Sequence, residues 1–144
     1  MSNQLTVTET IKATPDDVRA AILDLEGYPQ WQREMKTVVI TDKDEQGRPK
    51  TATFDIAVAG QAATYTLEYS YPDADTIESR LAEGSLITKQ DQTYRLTDRD
   101  GATELRYSLD MAVKWEIPDF MLNAIIKKGV KTNVNGIKKN AEAH

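Results

Sequence analysis

Cysteine is absent from these 144 residues, and the one histidine is His144. Without a thiol there is no disulfide, no thiolate nucleophile and no cysteine-held metal, and the redox compartment is left open. A single terminal imidazole excludes a histidine-centred triad and a histidine-ligated metal site. No metal and no cofactor is expected. Glycine is sparse, and Gly84, Gly101 and Gly129 stand alone, so no phosphate-cradling loop is written into the chain. No stretch approaches the roughly 18 apolar residues of a membrane span, and the opening Met-Ser-Asn-Gln-Leu lacks the basic patch and apolar run of a leader. A soluble, cytoplasmic protein is expected. Positive charge is in deficit: 18 basic against 23 acidic residues give a formal charge of −5, which offers duplex nucleic acid no attractive average field.

What is present is strong periodicity. From Thr103 to Ile117 the chain alternates strictly, with Leu105, Tyr107, Leu109, Met111, Val113 and Trp115 on one side and Glu104, Arg106, Ser108, Asp110 and Lys114 on the other. That is a strand with one wet face. After Pro118 the step changes: Leu122, Ile125, Ile126, Gly129, Val130, Asn133, Val134 and Ile137 recur at helical spacing. A helix of about 22 residues would span roughly 33 Å, enough to lie across a sheet and close a cavity against it. Its lysines, Lys127, Lys128, Lys131, Lys138 and Lys139, read as a solvated face that at most touches anionic lipid transiently.

The chain begins with an alternating strand over residues 5 to 12, which puts Glu9 on the side of Val7 and Ile11. Thr14, Pro15, Asp16 and Asp17 then spell a helix start: a capping hydroxyl, a proline at the first position and acids in the first turn. This helix is expected to run to about Leu25 and stop before Gly27, with a second short segment holding Tyr28, Pro29 and Trp31. Six alternating runs follow, at 36–42, 50–59, 62–71, 75–82, 86–97 and 102–117, with turns at Asp44 to Arg48, near Gly60, at Pro72 and Asp73, at Glu83 to Ser85 and at Asp98 to Gly101. Asp-Arg-Asp-Gly suits a type I turn closed by a left-handed glycine. With no repeat, linker or low-complexity tract, one domain over residues 1–144 is expected, as a monomer or weak dimer.

Strand, two short helices, six strands and one long helix exclude a doubly wound fold, which needs a helix between successive parallel strands. The remaining solution is an antiparallel sheet whose apolar face is covered by the last helix. The run Ile11-Lys12-Ala13-Thr14-Pro15-Asp16-Asp17-Val18, then Tyr28-Pro29-x-Trp31, Leu81-x-Glu83-Gly84, and the stretch from Tyr94-Arg95-Leu96 to Tyr107-Ser108-Leu109 resemble the helix-grip superfamily of START-like (SRPBCC) and birch-pollen-allergen-like domains. Within it the chain is most similar to the polyketide cyclase/dehydrase and coenzyme Q-binding branch. The resemblance covers essentially the whole chain. It implies an α+β helix-grip fold: a curved seven-stranded antiparallel sheet, two short helices after the first strand, and a long C-terminal helix over a cavity. It also implies a ligand class, a lipid, isoprenoid quinone or polyketide-like molecule. The branch holds both carriers and cyclase or aromatase enzymes, so an enzymatic role stays open beside the preferred carrier reading.

The candidate binding residues are the aromatic and aliphatic row of the sheet, Phe54, Tyr65, Leu67, Tyr69, Tyr94, Tyr107, Leu109, Met111 and Trp115, facing Phe120, Met121, Leu122, Ile125, Ile126 and Asn133. A closed core is the alternative, but several phenols suit a dry core poorly, because each buried hydroxyl needs a partner. An acid–base enzyme would draw on Glu9 and Tyr107, if Glu9 is desolvated rather than lying at a wet rim, the preferred placement. Trp31 is either a gate to the cavity or a packing anchor. Asn133 and Gly136 interrupt the apolar helix stripe and either leave room above the sheet or are tolerated helix defects. Arg80 and Arg95 read as outer-face charges rather than head-group ligands.

Overall fold

Alternation becomes sheet along most of the chain. The structure, a computed structural model, describes residues 3–58, 60–114 and 116–143. Strand β1 (Asn3–Ile11) leads to helix α1 (Pro15–Leu23) and a 3-10 helix (Leu25–Gln30). Then come β2 (Met35–Lys43), β3 (Pro49–Val58), β4 (Gln61–Asp73), β5 (Thr76–Gly84), β6 (Ile87–Arg99), β7 (Ala102–Val113) and the long helix α2 (Asp119–Glu142). The strands form one antiparallel sheet in the order β1-β7-β6-β5-β4-β3-β2, so a meander from β2 to β7 is completed by β1. Register shifts in the β2–β3, β4–β5 and β6–β7 pairs bend the sheet around α2.

Local chemistry sets the boundaries. The Thr14 hydroxyl accepts from the Asp17 amide at 3.2 Å, the cap read in the sequence. Helix α1 ends at Leu23, two residues early and well before Gly27, and the chain folds back so that the Tyr28 hydroxyl donates to the Ile22 carbonyl, one of the groups a helix end leaves unpaired. Strand β7 ends at Val113 rather than Ile117: β6 begins at Ile87, the residue opposite Val113, and among the described residues no strand pairs the chain beyond it. The hairpin expected at Pro72 and Asp73 falls two residues later, at Ala74 and Asp75, with Asp73 paired to Thr76. The Asp-Arg-Asp-Gly turn is also corrected. Asp100 and Gly101, both at positive φ (57° and 93°), form the two-residue loop between the paired Arg99 and Ala102. That is the type I′ geometry matching strand twist, in place of a type I turn.

One group of side chains fully excluded from solvent packs the end away from the cavity floor, where the equally buried Phe54 and Leu67 lie. Ile11, Val18, Ile22, Leu25, Leu105 and Ile137 come from β1, α1, the 3-10 helix, β7 and the second half of α2. This packed end holds the long helix and lets its first half pass over the sheet with space beneath.

Candidate functional site

Beneath the first half of α2 lies a cavity of about 380 Å³, within the range of small-molecule sites. Strands β3 and β4 contribute Phe54, Tyr65, Leu67 and Tyr69 to its floor, and β6 and β7 contribute Tyr94, Tyr107, Leu109 and Met111. Ile125, Ile126 and Asn133 line it from α2. These eleven residues share a wall because period two on the strands and the helical step on α2 aim them inward. A smaller void of about 60 Å³ adjoins, and Leu122 lines that one instead.

Three expected members lie elsewhere. Met121 is exposed, as is Phe120 at 74% of its surface, because the helical step that buries Leu122 and Ile126 turns the two preceding residues outward. Trp31 does not line the cavity. Its indole lies 4.9 Å from the Tyr28 ring and fills the notch at Gly136, where a Cβ would come within 2.1 Å of the Trp31 ring. Gly136 therefore leaves no room above the sheet. Gly129 does, lining the cavity with nothing within 4 Å of the place a Cβ would take. Glu9 sits at a half-exposed rim, in regular register opposite Leu105, where Lys138 Nζ reaches its carboxylate at 3.0 Å and raises its own pKa by doing so. Trp115 and His144 lie outside the described residues.

The structure adds a polar lining that the periodicity did not single out: Tyr28, Gln32, Gln90 and Gln92. Gln90 and Gln92 occupy the inward parity of β6 alongside Tyr94 and Leu96, which was the available signal. Glu34, Met35, Ile56, Val58, Lys128, Gly129 and Val130 complete the wall.

Most of these polar groups satisfy one another. Asn133 Nδ2 donates to the Tyr94 hydroxyl at 2.9 Å, and Asn133 Oδ1 accepts from Gln32 Nε2 at 3.2 Å, so the buried asparagine ties α2 to the sheet and to the segment after the 3-10 helix. The Tyr107 hydroxyl donates to Gln92 Oε1 at 2.6 Å, and Gln92 Nε2 donates to Ser79 Oγ at 3.1 Å. Phe54 stacks on Tyr65 at 5.0 Å, and Tyr94 packs on Tyr107 at 4.7 Å.

Burial pushes every cavity phenol up. Tyr28, Tyr65, Tyr69 and Tyr107 rise well above the ordinary tyrosine value, and Tyr94 rises only to about 12, since the hydrogen bond from Asn133 favours its oxygen. These hydroxyls stay protonated. The charged lining residues, Glu34 and Lys128, are both substantially exposed and stand 4.0 Å apart at the mouth. Among the described residues no group of three or more histidine, cysteine, aspartate or glutamate side chains is placed to hold a metal ion, and no helix is long and apolar enough to cross a membrane. The site can enclose an apolar body and orient it with neutral hydrogen bonds.

The family described as Polyketide cyclase / dehydrase and lipid transport matches the chain over residues 3–142. Among solved structures, the chain is similar to a START superfamily protein from Mycobacterium smegmatis, with a TM-score of 0.85, 25% identity and 97% of each chain covered. It is also similar to the Zhui aromatase/cyclase from Streptomyces sp. R1128, with a TM-score of 0.83, 20% identity, and 99% of this chain and 94% of that one covered. Ara h 8.0201 follows the same course at a TM-score of 0.73 and 15% identity, over the whole of both chains. The latter two likenesses speak to fold alone: the architecture is the helix grip. No curated protein matches the chain.

Proposed function

The chain belongs to the polyketide cyclase/dehydrase and lipid transport family, and from that premise we propose that it binds and carries a small hydrophobic molecule of lipid, isoprenoid or polyketide kind. It would do so in the cytoplasm, as one unit over residues 1–144. The observation that carries this reading is the half-open cavity of about 380 Å³ between sheet and helix. Protein interiors pack as densely as organic crystals and do not keep voids of this size without a use. Apolar burial, at about 25 cal/mol per Å² before ordering costs, supplies the affinity, and the tyrosine and glutamine hydrogen bonds supply the orientation.

An acid–base cyclase is the weaker reading. Glu9, the carboxylate considered for it, lies at the rim under Lys138, and buried phenols held protonated are poor bases at neutral pH.

Native mass spectrometry of gently purified protein, compared with the denatured chain, tests the proposal. A co-purifying molecule that departs on denaturation is expected. An empty protein that also leaves the fluorescence of the neutral dye Nile red unchanged would overturn it.

A further inference from the structure

Five phenols face the cavity, and four have a polar partner. Tyr28 donates to the Ile22 carbonyl, Tyr94 accepts from Asn133, Tyr107 donates to Gln92, and Tyr65 is hydrogen-bonded by the Gln90 amide. Tyr69 is the exception. It is 9% exposed, lines the cavity, and has no hydrogen-bond partner among the described residues. Its place in the register is telling. Tyr69 pairs with Ser79, and Ser79 pairs with Gln92, so the chain of bonds running from Tyr107 through Gln92 to Ser79 ends beside Tyr69. The hydroxyl faces the cavity with no protein partner, so an occupant that offers it an acceptor gains a hydrogen bond there.

The charges narrow the occupant further. Inside the mouth, where Glu34 and Lys128 stand, the lining presents only neutral side chains. An anionic group carried to the floor would be desolvated with no cation to receive it. The Tyr69 proton stays in place, since burial pushes its pKa well above the ordinary value, so the hydroxyl is offered as a donor. A carbonyl oxygen accepts that bond and needs no acceptor of its own, whereas the proton of an incoming hydroxyl would have to reach Gln90 Oε1, an unpartnered acceptor in the same lining.

Resting on the carrier reading, we propose that Tyr69 is the polar anchor of the cavity and that the ligand is a neutral, largely apolar molecule with a carbonyl oxygen seated on the Tyr69 hydroxyl. Calorimetric titration with three probes of one shape tests this: 2-acetylnaphthalene, 2-ethylnaphthalene and 2-naphthoate, each against the wild type and Tyr69→Phe. The ketone should bind about tenfold more tightly than the hydrocarbon, the worth of one net hydrogen bond. The carboxylate should bind at least about a hundredfold more weakly than the ketone. Tyr69→Phe should abolish the ketone's advantage and leave the hydrocarbon's affinity unchanged. Tyr71→Phe, which removes a hydroxyl bonded to the Pro49 carbonyl and outside the lining, should leave the ratio intact.

An unaltered ketone-to-hydrocarbon ratio in Tyr69→Phe, or naphthoate binding as tight as the ketone, would overturn the anchor while the carrier reading stood. If none of the three binds, the anchor is overturned, and the carrier reading stands or falls on the native mass spectrum and Nile red.

Discussion

The two halves of α2 carry the same amphipathic pattern and do opposite work. From Asn133 onward the helix is clamped: Val134, Ile137 and Ala141 are buried, Trp31 fills the notch at Gly136, Lys138 bonds Glu9, and the Glu142 carboxylate accepts from the Lys12 amide. Before Asn133 it forms a roof, with Phe120 and Met121 in solvent and Ile125, Ile126 and Gly129 over open space. The two glycines are seven residues apart, two turns along one helix face. One is occupied by an indole and the other by nothing. Hydrophobic periodicity therefore decides which face turns inward, while the elements beneath decide whether that face meets a core or a cavity.

The largest effect expected from this division is alkaline. The floor under the roof holds Tyr28, Tyr65, Tyr69, Tyr94 and Tyr107, all with raised folded pKa values. Below the unfolded value near 10 each is neutral in both states, and its contribution is fully present. As pH rises beyond 10 the unfolded chain releases protons that the folded chain keeps, so stability falls. The slope approaches about 1.4 kcal/mol per pH unit per tyrosine, or about 7 for the five. Denaturant melts at stepped pH, with tyrosinate absorbance followed alongside, should show ionisation and unfolding together above pH ~10. Ionisation of all five in a folded protein would mean the floor is wet and open.

The glycine pair gives the next contrast, as one substitution with two signs. Gly136→Ala drives a methyl into the Trp31 ring and should cost about 1–3 kcal/mol in thermal or denaturant unfolding. Gly129→Ala meets no neighbour and should gain up to about 1 kcal/mol from helix propensity. Equal effects would erase the difference between clamp and roof. Smallest is Glu9→Gln at the clamped end: a half-exposed pair is worth about 0–1 kcal/mol, and ligand uptake should not change. A large loss of uptake would return Glu9 to the cavity.

The sheet's faces, the Thr14-Pro15 helix start and the phenol row were legible because each depends on residues near one another in sequence. So was the resemblance that named the fold, since the family match spans residues 3–142. What stayed hidden depends on distant partners. Nothing near Glu9 announces Lys138, 129 positions away, so local alternation alone set it beside Val7 and Ile11. Trp31 could be a gate or an anchor until Gly136 was seen beneath it, and Gly129 carried no sign of the open space it faces. Gln90 and Gln92 were readable in principle, standing at inward parity, but apolar matching passes over glutamine.

Amide hydrogen exchange along α2, with and without saturating 2-acetylnaphthalene, tests the central claim most directly. The account predicts that the ligand slows exchange in the roof, from Leu122 to Val130, and leaves the clamp from Val134 to Ala141 as it was. Uniform protection of both halves before ligand, with no change after it, would contradict a cavity roofed by one half of the helix and held by the other.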